Sequence, residues 1–348
     1  MMSREVERLQ KAVQRNCDIA DAQWGAEYGL CTYLMKMREY FRWERGMDYH
    51  ERLPKDEVGD WLVAREQLWE GLQGEEFKPL QVDGECFDPF DTEAINRKLT
   101  PQGLVYSGGI GGSGRSHFFL AWLERCEMPE GFSLYVAGRE LARDLSSPPA
   151  MNCGQAIFVR RESLRRMLWE KLENWRWSRP DNALGRAFAC YDFERDLNTA
   201  LDAMADAEME TILLHERGEY EAGRLLGGRW NDMVLSLAHT PGELMARAVR
   251  DHLADCRMTL PRLVERGQDA SIHFVLGNLS AMRKSIFPGL QSAYDEWLAR
   301  GDREPLQAIG SVGKEHWLAI AERMLDLYQR FGEDAAEPIQ HMVEENHL

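Results

Sequence analysis

The chain has 348 residues, 44% of them apolar, a length that suits two domains or one large helical domain. Its formal net charge of −16 means that an average surface patch repels nucleic-acid phosphates and anionic lipids. We therefore expect no nucleic-acid partner and no membrane partner. A protein partner or a homo-oligomer stays open.

The start of the chain, MMSREVERLQKAVQRN, has a charged helical pattern without the continuous apolar segment of a secretory signal. No stretch is long and apolar enough to span a bilayer. The seven cysteines are scattered and form no C-x-x-C pair, which argues against a disulfide framework and a cysteine-rich zinc site. These features predict a cytoplasmic protein.

Three regions differ in pattern along the chain. Helical periodicity dominates residues 1–76, most clearly in IADAQWGAEYGLCTYLMKMREYFRWERG and VGDWLVAREQLWEGL. In residues 77–160, glycine and proline separate short apolar runs such as LVYSG, HFFLAWLE, FSLYVAG and QAIFVRR, which is typical of a small antiparallel sheet. Helical patterns return at residue 161, separated by stop and start signals such as SRPDNALG and AHTPGEL.

The predicted fold class is therefore mainly α, a multi-helix bundle-like domain with a small antiparallel β insertion at about 77–160. In this scheme the N-terminal helices occupy residues 1–76, and the C-terminal helical region 161–331 packs against them. Residues 332–348, GEDAAEPIQHMVEENHL, form a loosely held acidic tail.

A glycine-rich loop, GIGGSGRS, spans Gly109 to Ser116. It matches the phosphate-binding pattern G-x-x-x-x-G-K-[ST], except that Arg115 replaces the lysine. The next segment, HFFLAWLE, resembles a strand, whereas a phosphate-binding loop leads into a helix. We therefore favour a flexible hairpin loop over a nucleotide site.

A basic, tryptophan-rich run, VRRESLRRMLWEKLENWRWSRP, extends from Val159 to Pro180. It has two interpretations: a local patch for nucleic acid, or an amphipathic helix with a solvated basic side and a buried apolar side. The amphipathic helix is the favoured interpretation.

The stretch LLHERGEYEAGRLL, Leu213 to Leu226, contains the most informative pattern. On a helical wheel, four polar residues fall among apolar ones on the core side: Glu208, His215, Glu216 and Glu219. An unpaired buried carboxylate costs several kcal/mol or takes up a proton. We therefore expect a compensating cation, either a metal ion or an arginine from another helix, such as Arg38.

A metal would find ligands on three predicted helices. His215 and Glu219 lie at i and i+4 on one face, with Glu208 two turns earlier on the same stripe. His252 and Asp255 lie at the margin of an apolar stripe on the helix that begins at Glu243. Glu27 lies in the apolar arc of AEYGLCTYLMKMREYF. Since His252 stands at a margin, a hydrogen-bonded boundary residue is its more conservative interpretation.

Two metal chemistries remain open. The set Glu27, Glu208, His215, Glu219, His252 and Asp255 is similar in ligand type to the carboxylate and histidine sets of di-iron bundles, which would hold iron or manganese and would place Glu27 near His215. The single-zinc version uses His215 and Glu219, with Glu216 as the base and His239, His252 or Asp255 as third ligand. It resembles the zinc metallopeptidases only in HERGE, where Glu219 replaces the second histidine.

These patterns predict a cytoplasmic metal-dependent enzyme of unknown substrate. The cofactor would be iron, manganese or zinc. The alternative is a non-enzymatic helical scaffold or partner-binding protein, in which the same residues form a buried ion-pair network.

A resemblance covers most of the chain. The segment LYVAGRELARDLSSPPAMNCGQAIFVRRESLRRMLWEKLENWRWSRPDNALGRAFACYDF, together with HERGEYEAG and ARAVRDHLADC, resembles a bacterial family of uncharacterised proteins of about this length. The resemblance implies a shared fold without an assigned function. It gives no residue a catalytic role.

Overall fold

The structure is a computed structural model that describes residues 3–111, 114–128 and 131–348, with only the backbone described at Ala26. The chain divides into two compact units, Met1–Lys171 and Leu172–Leu348. Within the described residues, no helix combines the length and apolar character that a bilayer crossing requires.

The first unit combines helices with two sheets. Its helices are α1 (Arg4–Trp24), α2 (Leu30–Arg45), α3 (Lys55–Glu70) and α4 (Thr92–Leu99), and α5 (Arg161–Ser178) begins in it. Its strands are β1 (Leu80–Val82), β2 (Glu85–Phe87), β3 (Leu104–Ile110), β4 (Ser116–Glu127), β5 (Ser133–Arg143), β6 (Ala150–Cys153) and β7 (Ala156–Arg160). Strands β1 and β2 pair with each other, and the larger sheet has the order β3-β4-β5-β7-β6.

The sheet corrects the expectation of a small antiparallel insertion. Strands β5 and β7 run parallel, so the sheet is mixed, and both of its faces are buried. One face packs on α1 through residues such as Tyr106 and Phe118, and the other carries Val105 and Phe119. Strands buried on both faces have continuous apolar runs, which explains LVYSG and HFFLAWLE. The β part is thus central to the first unit.

The helical pattern predicted over residues 19–46 is divided into two helices. Helix α1 begins at the N-cap Ser3, whose Oγ accepts the Val6 N–H at 3.3 Å, and a short 3-10 turn follows it at Gly25–Glu27. Gly29 is extended before α2. Glycine lacks the side chain that favours helix continuation, so Gly25 and Gly29 permit the break between α1 and α2.

The glycine-rich loop joins two antiparallel strands, because Ile110 of β3 pairs with Ser116 of β4. A hairpin context fits the favoured interpretation, since a phosphate-binding loop connects a strand to a helix. Gly112 and Ser113 lie outside the described residues. Arg115 forms a salt bridge with Glu27 at 2.7 Å.

In the second unit the described residues form helices joined by turns and contain no strand. Its helices are α6 (Ala183–Ala189), α7 (Leu197–Leu226), α8 (Gly228–Ser236), α9 (Pro241–Ala254), α10 (Leu260–Arg266), α11 (Asp269–Asn278), α12 (Ala281–Ile286), α13 (Pro288–Arg300), α14 (Glu304–Phe331) and α15 (Ala336–Glu344). Two of the predicted stop and start signals work as caps: Asn182 and Thr240 each accept a backbone N–H at the start of a helix. Asp196 caps α7 in the same way.

One local expectation in the second unit needs an addition, and another is wrong. The helix predicted to begin at Glu243 runs without a break from α9 through a π-helical turn, Asp255–Thr259, into α10. Pro261, two residues after that turn, cannot donate a backbone hydrogen bond. The segment 332–348 is not a loose tail: Ile339 and Val343 of α15 are buried, and the Leu348 N–H donates to the Ile286 carbonyl at 3.1 Å.

Helices α7 and α9 approach each other closely at Gly218. A Cβ atom added there would lie 2.7 Å from the carbonyl oxygen of Ala254 and 3.2 Å from its Cα. Both are backbone atoms, so neither can rotate away. Glycine is therefore required at this position if the two helix backbones are to keep their separation.

We predict that Gly218→Ala lowers the free energy of unfolding by about 1–3 kcal/mol, because the new methyl group forces two packed helices apart. Gly223→Ala on the same helix is the matched control. An added Cβ there meets no atom within 4 Å, so helix propensity should make that variant about 0.5–1 kcal/mol more stable. Urea denaturation of both variants measures the difference, and equal stabilities would contradict the packing argument.

Candidate functional site

Two i, i+4 pairs face each other where α7 and α9 approach. His215 and Glu219 lie on either side of Gly218 along α7, and Asp251 and Asp255 lie on either side of Ala254. His215 Nδ1 lies 2.8 Å from Asp255 Oδ1, and His215 Nε2 lies 3.4 Å from Glu219 Oε1. Residues four apart share one helix face, so the close packing of these helices brings the four side chains into one polar cluster.

Two arginines bind the outer oxygens of these carboxylates. Arg250 Nη2 lies 2.9 Å from Glu219 Oε2, and Arg283 of α12 donates to Asp255 Oδ2. Asp251 lies farther from both, 3.9 Å from Arg250 and 4.0 Å from Arg283. The cluster thus contains the arginine compensation that the sequence leaves open as an alternative to metal.

The electrostatics of the cluster favour an ionised His215 and Asp255. Burial opposes the charged form of each, but their mutual attraction outweighs burial, so the pKa of His215 is raised well above its usual value and that of Asp255 is lowered. For Glu219, burial is likewise outweighed, by His215 and Arg250, and its pKa falls to about 2. The pair of His215 and Asp255 therefore stays charged at neutral pH.

Two other carboxyl groups near the cluster are held closer to neutrality. Burial and the charge of Glu219 raise the pKa of Asp251 to about 6 and that of Glu216 to about 7. Like charges in one site cannot all ionise freely. Titratable carboxyls of this kind occur at metal centres and at general bases.

The atoms of His215, Glu219 and Asp251 fit a small cation. One ligand atom from each lies within 4.8 Å of the other two. Two ligands about 2.0–2.1 Å from a tetrahedral zinc ion are about 3.3 Å apart, close to the 3.4 Å between His215 Nε2 and Glu219 Oε1. Asp255 holds Nδ1 of the histidine, so that Nε2 is the nitrogen that faces Glu219, as in the carboxylate–histidine–metal arrangement.

His252 does not join the cluster as a ligand. It is fully buried, its Nε2 lies 2.9 Å from the Arg283 carbonyl oxygen, and its ring stacks on Trp317 with centroids 5.1 Å apart. Burial, followed by the charge of Arg283, lowers its pKa to about 3. A neutral histidine in this position orients Arg283 rather than a metal.

Glu208 occupies a separate buried site. Seven residues along a helix correspond to about 10 Å, so Glu208 lies well before His215 on α7. Its Oε1 accepts a hydrogen bond from the Ser271 hydroxyl at 3.0 Å. Its core position is confirmed, since the side chain is fully buried, but its partner is a hydroxyl group.

Three other residues that the sequence suggested as ligands or as a compensating arginine make contacts outside the cluster. Glu27 belongs to the first unit and is exposed, with its carboxylate bound to Arg115, so the expectation that it is a core carboxylate is wrong. Arg38 donates to Glu39 at 2.6 Å in the same unit. In the second unit, the His239 backbone N–H donates to Glu243 at 2.7 Å, which places His239 at the start of α9.

The sequence patterns did not indicate Asp251, Arg250 or Arg283 as members of the cluster. One signal was present: Asp251 and Asp255 repeat the i, i+4 spacing of His215 and Glu219, so each of two neighbouring helices offers a pair. Arg283 gave no comparable signal, because it lies on a short helix and reaches the cluster only through the tertiary fold.

Comparison with known proteins divides the chain into two domains, as the structure divides it into two units. The model of the N-terminal domain of a family of unknown function (DUF6866) matches residues 8–160, and the model of the C-terminal domain of that family matches residues 165–346. The chain therefore belongs to this family. Neither the curated proteins nor the solved structures contain a match.

The buried carboxyl of Glu208 yields a prediction about pH. Burial raises its pKa to about 7 from 4.5, so the folded protein holds the proton more tightly than the unfolded chain does. The stability tied to this proton is fully present below pH 4.5 and is lost as pH rises through about 7. We predict that Glu208→Gln removes this loss and is more stable than the wild type by up to about 3 kcal/mol at pH 8.

Denaturation of wild type and variant at several pH values between 5 and 8 measures this difference. Asp206→Asn, an exposed position on the same helix, is the control and should show no pH-dependent difference. A Glu208→Gln variant that is less stable than the wild type by the same amount at every pH would contradict the assignment.

Proposed function

We propose that the helical unit binds one divalent metal ion through His215, Glu219 and Asp251, and that the protein is a metal-dependent enzyme. The observation that carries the proposal is the position of His215. Its Nδ1 is held by Asp255 at 2.8 Å while its Nε2 faces a second ligand at 3.4 Å. All three candidate ligands are partly exposed, so an ion has a route from solvent.

The neighbouring residues take distinct roles in this proposal. Asp255 orients His215 and increases its basicity. Arg250 and Arg283 hold the outer oxygens of Glu219 and Asp255, which leaves Glu219 Oε1 directed at the histidine. Glu216, next to His215 and buried, is the candidate general base for a water molecule. A metal with three protein ligands supplies Lewis acidity and a more acidic bound water.

Zinc fits this ligand set best, because three protein ligands with an open fourth position are typical of its catalytic sites. Manganese and iron compete, since two of the three ligands are carboxylates. The six-residue set with two metals is a weaker proposal: the Glu27 carboxylate pairs with Arg115 and Glu208 binds Ser271. The substrate remains open, and HERGE alone does not indicate a peptidase.

We also propose a cytoplasmic location and keep the expectation of a bacterial origin. Support for the location comes from the cysteines, all seven of which are free. Free thiols suit a reducing compartment.

Metal analysis tests the proposal. We predict that protein purified from zinc-supplemented medium carries about one zinc per chain and that His215→Ala and Glu219→Ala each lose most of it. His341 and Glu345 provide a matched control, because they repeat the H-x-x-x-E spacing on an exposed face. His341→Ala should keep its zinc. Metal contents below about a tenth per chain for zinc, manganese and iron alike would end the proposal.

A second prediction concerns Asp255. Asp255→Asn removes the charge that orients His215, so we expect the affinity for zinc to fall about 10- to 100-fold. Asp326→Asn, at an exposed position in the same unit, should leave it unchanged. Competition against a chromophoric chelator measures both affinities. Equal affinities for the two variants would exclude the positioning role of Asp255.

The alternative function, a non-enzymatic scaffold or partner-binding protein, is favoured by the arginine contacts. Arg250 and Arg283 already neutralise Glu219 and Asp255, so the cluster is balanced as an ion-pair network. In this version His215→Ala lowers stability by the same amount with and without added metal. In the metal version, added zinc stabilises the wild type and leaves His215→Ala unaffected.

A further inference from the structure

A cavity of about 840 Å³ lies in the first unit between the second helix, the central sheet strand β5 and the start of α5. Arg143, Arg166 and Arg139 line it, together with the aromatic side chains Trp43 and Trp122. This volume is within the range of sites for small molecules. Nothing in the proposed metal site uses it, because the two lie in different units.

Arg143 is the unusual residue of this cavity. Its side chain is almost fully buried, yet its Nε and Nη2 atoms have no hydrogen-bond partner among the described residues. The guanidinium lies over the rings of Tyr40 and Trp43, 5.1 and 4.9 Å from their centroids. Ring contacts hold the cation in place but do not satisfy its N–H groups, and buried unsatisfied donors are costly.

A second buried arginine reinforces the positive charge. Arg166 donates from Nη2 to the Ser147 carbonyl at 2.6 Å, and its Nε has no hydrogen-bond partner among the described residues. Its closest carboxylate contact, Glu170, lies 3.8 Å away. Burial, followed by repulsion from Arg143, lowers the pKa of Arg166 to about 10. Two like charges thus repel each other beside the same cavity.

Carboxylates also line the cavity, and other groups engage three of them, Glu39, Glu140 and Glu162. Glu140 accepts hydrogen bonds from Arg160 Nε at 2.8 Å and from Ser163 Oγ at 2.6 Å. Glu39 accepts from Arg38 at 2.6 Å, and Glu162 accepts the Glu140 backbone N–H at 2.6 Å. These three carboxylates therefore have hydrogen-bond partners other than Arg143 and Arg166, both of which line the cavity.

We propose that this cavity binds a small anionic molecule, with its phosphate or carboxylate group on Arg143 and Arg166 and its apolar part against Trp43 and Trp122. The planar fork of arginine binds both oxyanions through paired hydrogen bonds. An anion beside the two guanidinium groups would offset the repulsion between them. The aromatic walls favour a flat or apolar remainder.

Isothermal titration calorimetry of the full chain tests this inference with three probes: phenyl phosphate, benzoate and inorganic phosphate, at constant ionic strength. We expect saturable binding of phenyl phosphate or benzoate, and the stronger of the two identifies the oxyanion. Inorganic phosphate should bind less tightly, because it makes no contact with the tryptophans. No saturable binding of any probe up to about 10 mM would overturn the proposal.

The variants locate the site. Arg143→Met should weaken binding of the better probe by at least about tenfold. Arg8→Met, at an exposed arginine of the first unit that does not line the cavity, should change it less than about twofold. Circular dichroism shows whether each variant is folded. If Arg143→Met does not fold, Arg166→Met takes its place, and the same loss of at least about tenfold in binding is expected. Equal losses of affinity in the buried and the exposed variant would mean that the probe is attracted only by surface charge, which would overturn the inference.

Discussion

The close approach of α7 and α9 at Gly218 determines the polar cluster of the second unit. A side chain there would meet the Ala254 backbone at 2.7 Å, so only glycine permits the observed separation. His215 and Glu219 lie three residues before and one residue after Gly218, and Asp251 and Asp255 are placed in the same way around Ala254. One backbone contact thus sets the distances among four titratable side chains.

Because of that contact, the negative charges of the cluster can be compensated in two ways. Without metal, Arg250 and Arg283 compensate the carboxylates, and a protonated His215 completes a charged network. With metal, His215 must give up a proton, because the neutral ring is the ligand. Since Asp255 stabilises the protonated ring, the same residue that orients His215 also makes metal binding compete with a proton. Which of the two proposed functions applies depends on which of these two states is more stable.

Much of the fold follows from local sequence, because helical periodicity and caps such as Asp196 and Thr240 act over a few residues. The buried polar stripe of α7 was also predictable, and Glu208 and Glu216 are indeed buried. The extent of the sheet was underestimated, because strands covered on both faces lose the alternation that identifies them. The tail was misjudged since its burial depends on distant helices.

The composition of the site was predictable only in part. The wheel of α7 identified His215 and Glu219, but the partner residues depend on tertiary packing: Asp251 was passed over for its neighbour His252, which turns toward Trp317. Arg283 comes from a short helix whose position no local pattern indicates. The prediction that Glu27 is a core carboxylate was wrong for a local reason. The helical wheel assumed a continuous helix, whereas Gly25–Glu27 forms a 3-10 turn.

The most direct test of the central claim is a crystal structure of protein grown with zinc, with anomalous diffraction data collected at the zinc absorption edge. The account predicts one strong anomalous peak, about 2.0–2.2 Å from His215 Nε2 and from an oxygen of Glu219, with Asp251 as third ligand and Asp255 still on Nδ1. An anomalous map without a peak at this position, with His215 in contact only with Asp255 and Glu219, would contradict the claim of metal binding.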